Sequence, residues 1–209
     1  MSNLLERINS IYNPLIFREK DPINRTRIKM LSFLLTVYPI FTLILMIIYL
    51  LNGEMAYFIR VALVFLSSLT LLLLINFTSA WRVVSHLVLG ICALIIFSNL
   101  LVYHQGIDIK TIQYIWFGCM FGFYMHGPKW GSFYAALYIL PVLLFTAIGM
   151  DKVLNVFTRP EELGEWSYLI VITYNFVLII FLQYYFFKKF NQNLLNLTRT
   201  KNEFEHLNK

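Results

Sequence analysis

Six long apolar runs constrain this chain more than any other feature of its sequence. A transmembrane helix needs roughly 20 consecutive, mostly apolar residues, and each run is close to that length. Hydrophobic residues make up 59% of the chain and charged residues only 13%, whereas about a quarter of a soluble domain is charged. Because backbone polar groups in hydrocarbon must hydrogen-bond internally, we predict an all-α, polytopic membrane protein with six transmembrane helices. The predicted helices are Met30–Leu51, Met55–Ile75, Val83–Tyr103, Ile109–Met125, Trp130–Gly149 and Trp166–Phe187.

The connections between the first five runs are short, and no Gly-rich or Pro-rich linker divides the chain. Short connections place consecutive helices side by side and antiparallel. We therefore predict one transmembrane domain over residues 30–187, preceded by a segment of residues 1–29 and followed by a segment of residues 188–209. The four short connections are Asn52–Glu54, Asn76–Arg82, His104–Asp108 and His126–Lys129.

The positions of Lys and Arg predict the orientation in the membrane. If the N-terminus lies inside, 13 of the 17 basic residues fall in inner segments, whereas the outer loops hold only Lys110, Lys152 and Arg159. The positive-inside rule then places both termini in the cytoplasm. Because the basic residues flank the spans, the net charge of +6 reflects membrane topology, and we predict no nucleic-acid partner.

The N-terminal segment of residues 1–29 is predicted to lie on the membrane surface. Its apolar residues fall on one face of a helix, which Asn13 and Pro14 stop. Such a helix is typical of a segment lying on the inner leaflet, although the same pattern also fits packing against a cytoplasmic partner. The first long apolar run begins too late for a signal peptide. The apolar face consists of Leu4, Leu5, Ile8, Ile11 and Tyr12.

Several polar residues within the runs are the candidate ligand-binding site. Asn99, Gln113 and Asn175 fall in the outer halves of their helices, with Trp116 and Tyr174 nearby. An amide in hydrocarbon is costly unless it is paired, so we expect these side chains to face the bundle interior. Two interpretations remain open: hydrogen bonding between helices, or an outward-facing pocket for a small amphiphilic, hydrophobic or quinone-like molecule.

Arg60 lies one turn inside the second predicted helix and is a further candidate ligand-binding residue. Its guanidinium has three possible roles: pairing with Glu54, binding an anionic ligand group, or extending outward to the headgroups. The third role is the one that we predict.

His86 and His126 are both predicted at the inner side of the membrane, which makes them candidate haem or metal ligands. The alternative is that each is a polar residue at headgroup level. No carboxylate or cysteine lies nearby in sequence to complete a site, so we predict no metal. The chain also has no phosphate-binding loop, zinc-protease motif or nucleophile elbow. We therefore predict no cofactor and no catalytic residue.

The segment after Lys188 and Lys189 continues with a coiled-coil pattern. It contains no Gly or Pro, and its apolar positions recur at alternating spacings of 3 and 4, as in a heptad seam. Lys201 falls at a polar core position of that seam. We predict a parallel dimeric coil continuous with the last transmembrane helix; the alternative is an amphipathic tail on the membrane surface. The seam is Phe187, Phe190, Leu194, Leu197, Lys201 and Phe204.

Three stretches resemble the membrane input region of bacterial sensor histidine kinases. They are NPLIFREKDPINRTRIKML, IDIKTIQYIWFGCMFGFYMHGPKWGSFY and NLTRTKNEFEHLNK. The layout is also similar to that of membrane-bound class III nucleotide cyclases. The resemblance implies a homodimer in the bacterial inner membrane, in contact with lipids, that passes a signal through its last helix to a cytoplasmic output domain. Since no kinase motif is present, the chain is then expected to be truncated.

Two function classes follow from the sequence. The first is the sensor module of a dimeric signalling protein, with a kinase or a cyclase as its output. The second is a stand-alone membrane carrier or channel subunit. Ion-coupled transporters usually place ionisable residues at mid-membrane, and this chain has few there. The heptad pattern and this scarcity favour the first class.

Overall fold

The computed structural model describes residues 19, 21–78, 80–103, 108–148 and 164–207, and its side chains through Lys188 except that of Tyr103. Over these residues the regular structure is entirely helical. Five helices are long and apolar enough to cross a membrane, as expected for a multi-pass membrane protein. They are α1 (Pro22–Leu51), α2 (Met55–Thr78), α3 (Trp81–Ser98, continued by a π turn Asn99–Tyr103), α4 (Ile109–Ile148) and α5 (Glu165–Leu207).

Helix α1 begins at Pro22, eight residues before the predicted start at Met30. Asp21 caps it, because its side chain accepts a hydrogen bond of 2.9 Å from the backbone N–H of Ile23. Pro22 suits the first helical position, where no backbone donor is needed. The polar residues up to Lys29 therefore belong to α1. The predicted surface helix lies outside the described residues.

Helix α4 covers the fourth and fifth predicted helices and folds back on itself at Gly127. The backbone of Gly127 has φ 76° and ψ −169°, a conformation open mainly to glycine. Pro128 follows, and proline disfavours helical backbone in the residue before it. Gly118 faces the ring of Tyr138, and Gly122 faces Tyr134. In a straight helix residues 118 and 138 would lie about 30 Å apart, so the two arms of α4 are antiparallel.

The helices pack so that contacts collect at two opposite ends of the bundle. At the end that holds the α1–α2 turn, Asn52 Nδ2 donates to Ser167 Oγ (2.8 Å), and the Gly164 N–H donates to Glu54 Oε1 (2.7 Å). We call this the loop end. At the other end Arg27 Nε donates to the carbonyl of Tyr124 (3.0 Å). We call it the basic end, because it carries Arg25, Arg27, Lys29, Arg82, Lys129 and Lys188.

Large apolar side chains cover the outside of the bundle as well as its core. Leu31, Val84 and Leu89 are fully buried, whereas Leu63 and Ile180 are more than half exposed. An outer surface of this kind is costly in water but costs nothing against lipid tails. The exposed apolar residues therefore agree with a membrane environment.

Helix α5 is a single helix of 43 residues. Its apolar part extends from Glu165 to Lys188, and its backbone remains helical to Leu207. The predicted coil thus has helical backbone. Phe187 is exposed, and the other seam side chains lie outside the described part of the chain.

The hairpin in α4 depends on close approach of its two arms, and a substitution at Gly131 tests this. A Cβ at Gly131 would lie 2.8 Å from Phe123 Cα, so Gly131→Ala forces backbone atoms apart and should lower the free energy of unfolding by about 1–3 kcal/mol. The measurement is unfolding by SDS titration in mixed micelles.

The matched control is Gly90→Ala, because a Cβ at Gly90 would meet no atom within 4 Å. This change should be neutral or should stabilise the helix by up to about 1 kcal/mol. Equal effects of the two substitutions would contradict the close packing of the arms.

Candidate ligand-binding site

Two small cavities lie one after the other inside the bundle, and each has a volume of about 50 Å³. One water needs roughly 10–15 Å³ measured in this way, so each cavity holds several waters or a slim part of a ligand. The apolar chamber is lined by residues that include Leu34, Leu71, Val88, Phe117 and Leu178. The polar chamber is lined by residues that include Tyr49, Tyr57, Arg60, Asn99, Lys110 and Tyr174.

Arg60 points into the bundle. It lines the polar chamber, and its Nη2 donates a hydrogen bond of 3.2 Å to the carbonyl of Ile95 on α3. The structure therefore corrects the prediction that Arg60 extends outward. The reason is that α3 lies close enough to offer a backbone acceptor within the bundle.

Lys110, which the sequence analysis counted with the outer loops although it falls at the start of the predicted fourth helix, is the second residue of α4 and is only 3% exposed. Its Nζ lies 3.5 Å from Asp108 Oδ2 and 4.6 Å from the ring centroid of Tyr168. Asp108 also caps α4, because its Oδ1 accepts from the Thr111 N–H (2.8 Å). The Asp two residues before this Lys, at the start of an apolar run, is a sequence signal for the helix cap, but it does not give the burial of the Lys110 side chain.

Asn99 is held in one orientation by its neighbours. Thr111 Oγ1 donates its proton to Asp108 Oδ1 (2.6 Å). Thr111 Oγ1 therefore acts as the acceptor for Asn99 Nδ2 (3.2 Å). The carbonyl oxygen Asn99 Oδ1 is buried without a hydrogen-bond partner among the described residues, and so is the hydroxyl of Tyr174. Unpaired polar groups in a low-dielectric interior are costly. Both residues line the polar chamber, which is therefore where a bound molecule would satisfy them.

Gln113 and Asn175 bond to each other across two helices. Asn175 Nδ2 donates to Gln113 Oε1 (3.1 Å), and Gln113 Nε2 donates to the carbonyl of Ile172 (3.1 Å). Both side chains are buried, which confirms that they face the interior. Their pairing supports the interpretation that they link α4 to α5, although both also line the apolar chamber.

Trp116 is not brought to the other candidate residues. Its ring is 57% exposed on the outside of α4, and its Nε1 donates to the sulfur of Met120 one turn away. The other candidates line the two chambers: Arg60 is partly buried, and the buried ones are Asn99, Gln113, Tyr174 and Asn175. Tyr38 and Tyr114, which line both chambers, were not identified from the sequence because aromatic residues are frequent throughout the chain.

His86 and His126 do approach each other, which their shared predicted depth allowed. Their rings stack with centroids 3.7 Å apart and planes 15° apart. His126 Nε2 and Ser85 Oγ share a hydrogen bond of 2.9 Å, and His86 Nδ1 and Tyr134 Oη share one of 2.8 Å. A metal lies in the plane of each imidazole that binds it, and two nearly parallel planes do not converge on one ion. The described residues also contain no cluster of three or more potential metal ligands.

The chain was compared with protein families, curated proteins and solved structures. No family model, curated protein or solved structure matches the chain. The resemblance to sensor histidine kinases therefore stays a prediction from the sequence.

The Gln113–Asn175 bond should be measurable as a coupling between two helices. Asn175→Leu leaves Gln113 Oε1 unpaired, and Gln113→Leu leaves Asn175 Nδ2 unpaired. The loss of stability in the double variant should therefore be smaller than the sum of the two single losses. We expect a coupling energy of about 0.5–1.5 kcal/mol in SDS unfolding. Trp116→Leu combined with Asn175→Leu is the control pair, and its effects should be additive. Additivity for Gln113 and Asn175 as well would contradict the bond.

Proposed function

We propose that this chain is the six-span input module of a dimeric bacterial signalling protein in the inner membrane, with both termini in the cytoplasm. In this arrangement each arm of α4 crosses the membrane separately. The arms Ile109–His126 and 128–148 are about 27 and 32 Å long, close to the roughly 30 Å of a bilayer core. The basic end faces the cytoplasm, as the positive-inside rule requires.

The observation that carries the proposal is the continuity of α5. The helix is about 64 Å long, roughly twice the thickness of a bilayer core. Its backbone stays helical for 19 residues beyond Lys188. A carrier or channel subunit has no need of such an extension, whereas an input module needs a rigid element that leaves the membrane.

Helix α5 also forms part of both chamber walls. Val171 and Tyr174 line the polar chamber, and Asn175, Leu178 and Ile179 line the apolar chamber. Any change in the contents of the chambers therefore acts directly on the helix that continues out of the bundle.

Stacked aromatic rings join α5 to α1. Phe33 stacks on Phe181 with centroids 4.7 Å apart, and Phe41 stacks on Tyr174 at 4.2 Å. Flat stacked rings permit small rotations and shifts of a helix at low cost, since they make no directional hydrogen bond. This packing supports a signal carried by rotation or translation of α5.

The topology is tested by reporter fusions that distinguish the two sides of the membrane. Fusions at Asn52, Gln105 and Asn155 should report the outside, and fusions at Ser79, Pro128 and Asn193 the cytoplasm. Asn155 is the critical site, because only a hairpin in α4 returns the chain to the outside before α5 begins. A straight α4 would leave Asn155 in the cytoplasm and Asn193 outside. An outside signal at Pro128 or Asn193 would rule out the six-span arrangement.

Signalling through α5 is tested by its helical phase. In a chimera, Lys209 is joined in heptad register to the dimerisation and catalytic domains of a sensor histidine kinase. Inserting one alanine at the junction rotates the output domain by about 100° and should change autophosphorylation several-fold. Inserting seven residues should largely restore it.

Two observations would contradict this mechanism. One is equal autophosphorylation for the one-residue and seven-residue insertions, since the phase of the helix would then carry no signal. The other is disulfide cross-linking between chains that is no stronger for Leu194→Cys and Leu197→Cys than for Gln192→Cys and Arg199→Cys, which lie on the opposite face of the heptad. Cys92 and Cys119 are replaced by Ala in all four variants.

A further inference from the structure

We propose that the two chambers together form one binding site for an anionic amphiphile with a single alkyl chain. The anionic group would lie in the polar chamber and the chain in the apolar chamber. The inference deepens the proposed function, because it names the class of molecule that an input module of this structure would detect.

The two chambers adjoin each other along the bundle. Tyr38, Val64, Ile95 and Tyr114 line both of them. On α1 alone the combined lining extends from Tyr49 to Leu34, or about 22 Å along the helix axis. The combined space is long and of small volume, which suits a single flexible chain and excludes a bulky fused ring.

The polar chamber has the chemistry to bind an anion. Of its described lining residues, Arg60 and Lys110 are cationic and none is a carboxylate. Lys110 Nζ is buried and makes no hydrogen bond in the described structure; Asp108 Oδ2, which lies outside the lining, is 3.5 Å from it. Guanidinium and ammonium groups make strong, charge-assisted hydrogen bonds to carboxylate or phosphate, and a cationic headgroup would be repelled.

The buried groups without partners add polar contacts at the same place. The Tyr174 hydroxyl has a proton to donate and no acceptor in the described structure, so it would bond to an oxygen of the anion. Asn99 Oδ1 needs a donor, which a water hydrating the anion supplies. An anion and its water in the polar chamber would therefore give hydrogen-bond partners to both of these buried groups.

The apolar chamber offers a matching surface for the chain. Leu34, Leu71, Val88 and Leu178 line it, and its two amides, Gln113 and Asn175, are bonded to each other. An alkyl chain gains little by moving from lipid tails into such a chamber, because both surroundings are equally apolar. Selectivity must therefore come from the anionic group.

The test uses the purified chain in phosphatidylcholine nanodiscs and a palmitate probe with a photoreactive diazirine in the middle of its chain. Cross-links should map to apolar-chamber residues near Val64, Leu71 and Val88. Excess palmitate should compete with the probe, whereas methyl palmitate and hexadecyltrimethylammonium should not. Lysophosphatidylglycerol tests the source of the anion: stronger competition by it than by palmitate would support the same site and identify a phospholipid-derived ligand.

Substitutions locate the headgroup. Arg60→Gln should weaken palmitate competition about tenfold or more, while Arg82→Gln at the basic end should leave it unchanged. Tyr174→Phe should weaken it several-fold, whereas Tyr184→Phe, on the exposed surface of α5, should not. Tyr174→Phe retains the ring that stacks on Phe41, so it keeps the test usable if Arg60→Gln fails to fold.

Three results would overturn the proposal: competition by methyl palmitate equal to that by palmitate, cross-links spread over lipid-facing residues such as Leu63, Leu66 and Leu144, or unchanged palmitate competition in folded Arg60→Gln and Tyr174→Phe. Such a failure would be separate from failure of the proposed function. The phase test in the chimera requires no ligand and would still decide whether α5 transmits a signal.

Discussion

The structure depends on the need to pair every backbone and side-chain polar group inside the protein when the surroundings are hydrocarbon. Helices satisfy the backbone, so all regular structure in the described residues is helical. Side chains must then find partners between helices, and most of them do. Gln113 and Asn175 pair with each other, and Arg60 donates to a carbonyl of α3. Among the buried groups that make no hydrogen bond in the described structure, Asn99 Oδ1, Lys110 Nζ and the Tyr174 hydroxyl belong to residues that line the polar chamber.

The polar groups also differ between the two ends of the bundle. The loop end holds Arg60, Lys110 and the capped start of α4 around a polar cavity. The basic end holds the stacked histidines and the Arg27 contact to Tyr124, which fasten α1, α3 and α4 together.

Much of the fold was predictable because hydropathy alone identifies stretches that must be buried in lipid. The predicted starts of α2 and α4 at Met55 and Ile109 agree with the structure. The start of α1 was missed because Pro22–Lys29 is polar, and its helical conformation depends on the Asp21 cap, a local interaction that hydropathy does not register.

The candidate site was predictable only in part. Burial of Asn99, Gln113 and Asn175 followed from the cost of an amide in lipid. The burial of Lys110 did not, because it depends on Asp108 and Tyr168 lying beside it in space. The outward position of Trp116 was also missed, since the sequence gives its depth in the membrane but does not give the face of the helix.

The hairpin of α4 bears on how the chain enters the bilayer. Its first arm has only 18 residues before Gly127 and carries Lys110, Gln113 and His126, all of which oppose insertion of an isolated helix. Gly118 and Gly122 of the first arm face Tyr138 and Tyr134. Both tyrosines belong to the second arm, which is synthesised later. In the proposed six-span arrangement, the first arm would gain its stability in the membrane only once the second arm has emerged from the ribosome, and the pair of arms would then be the unit of insertion.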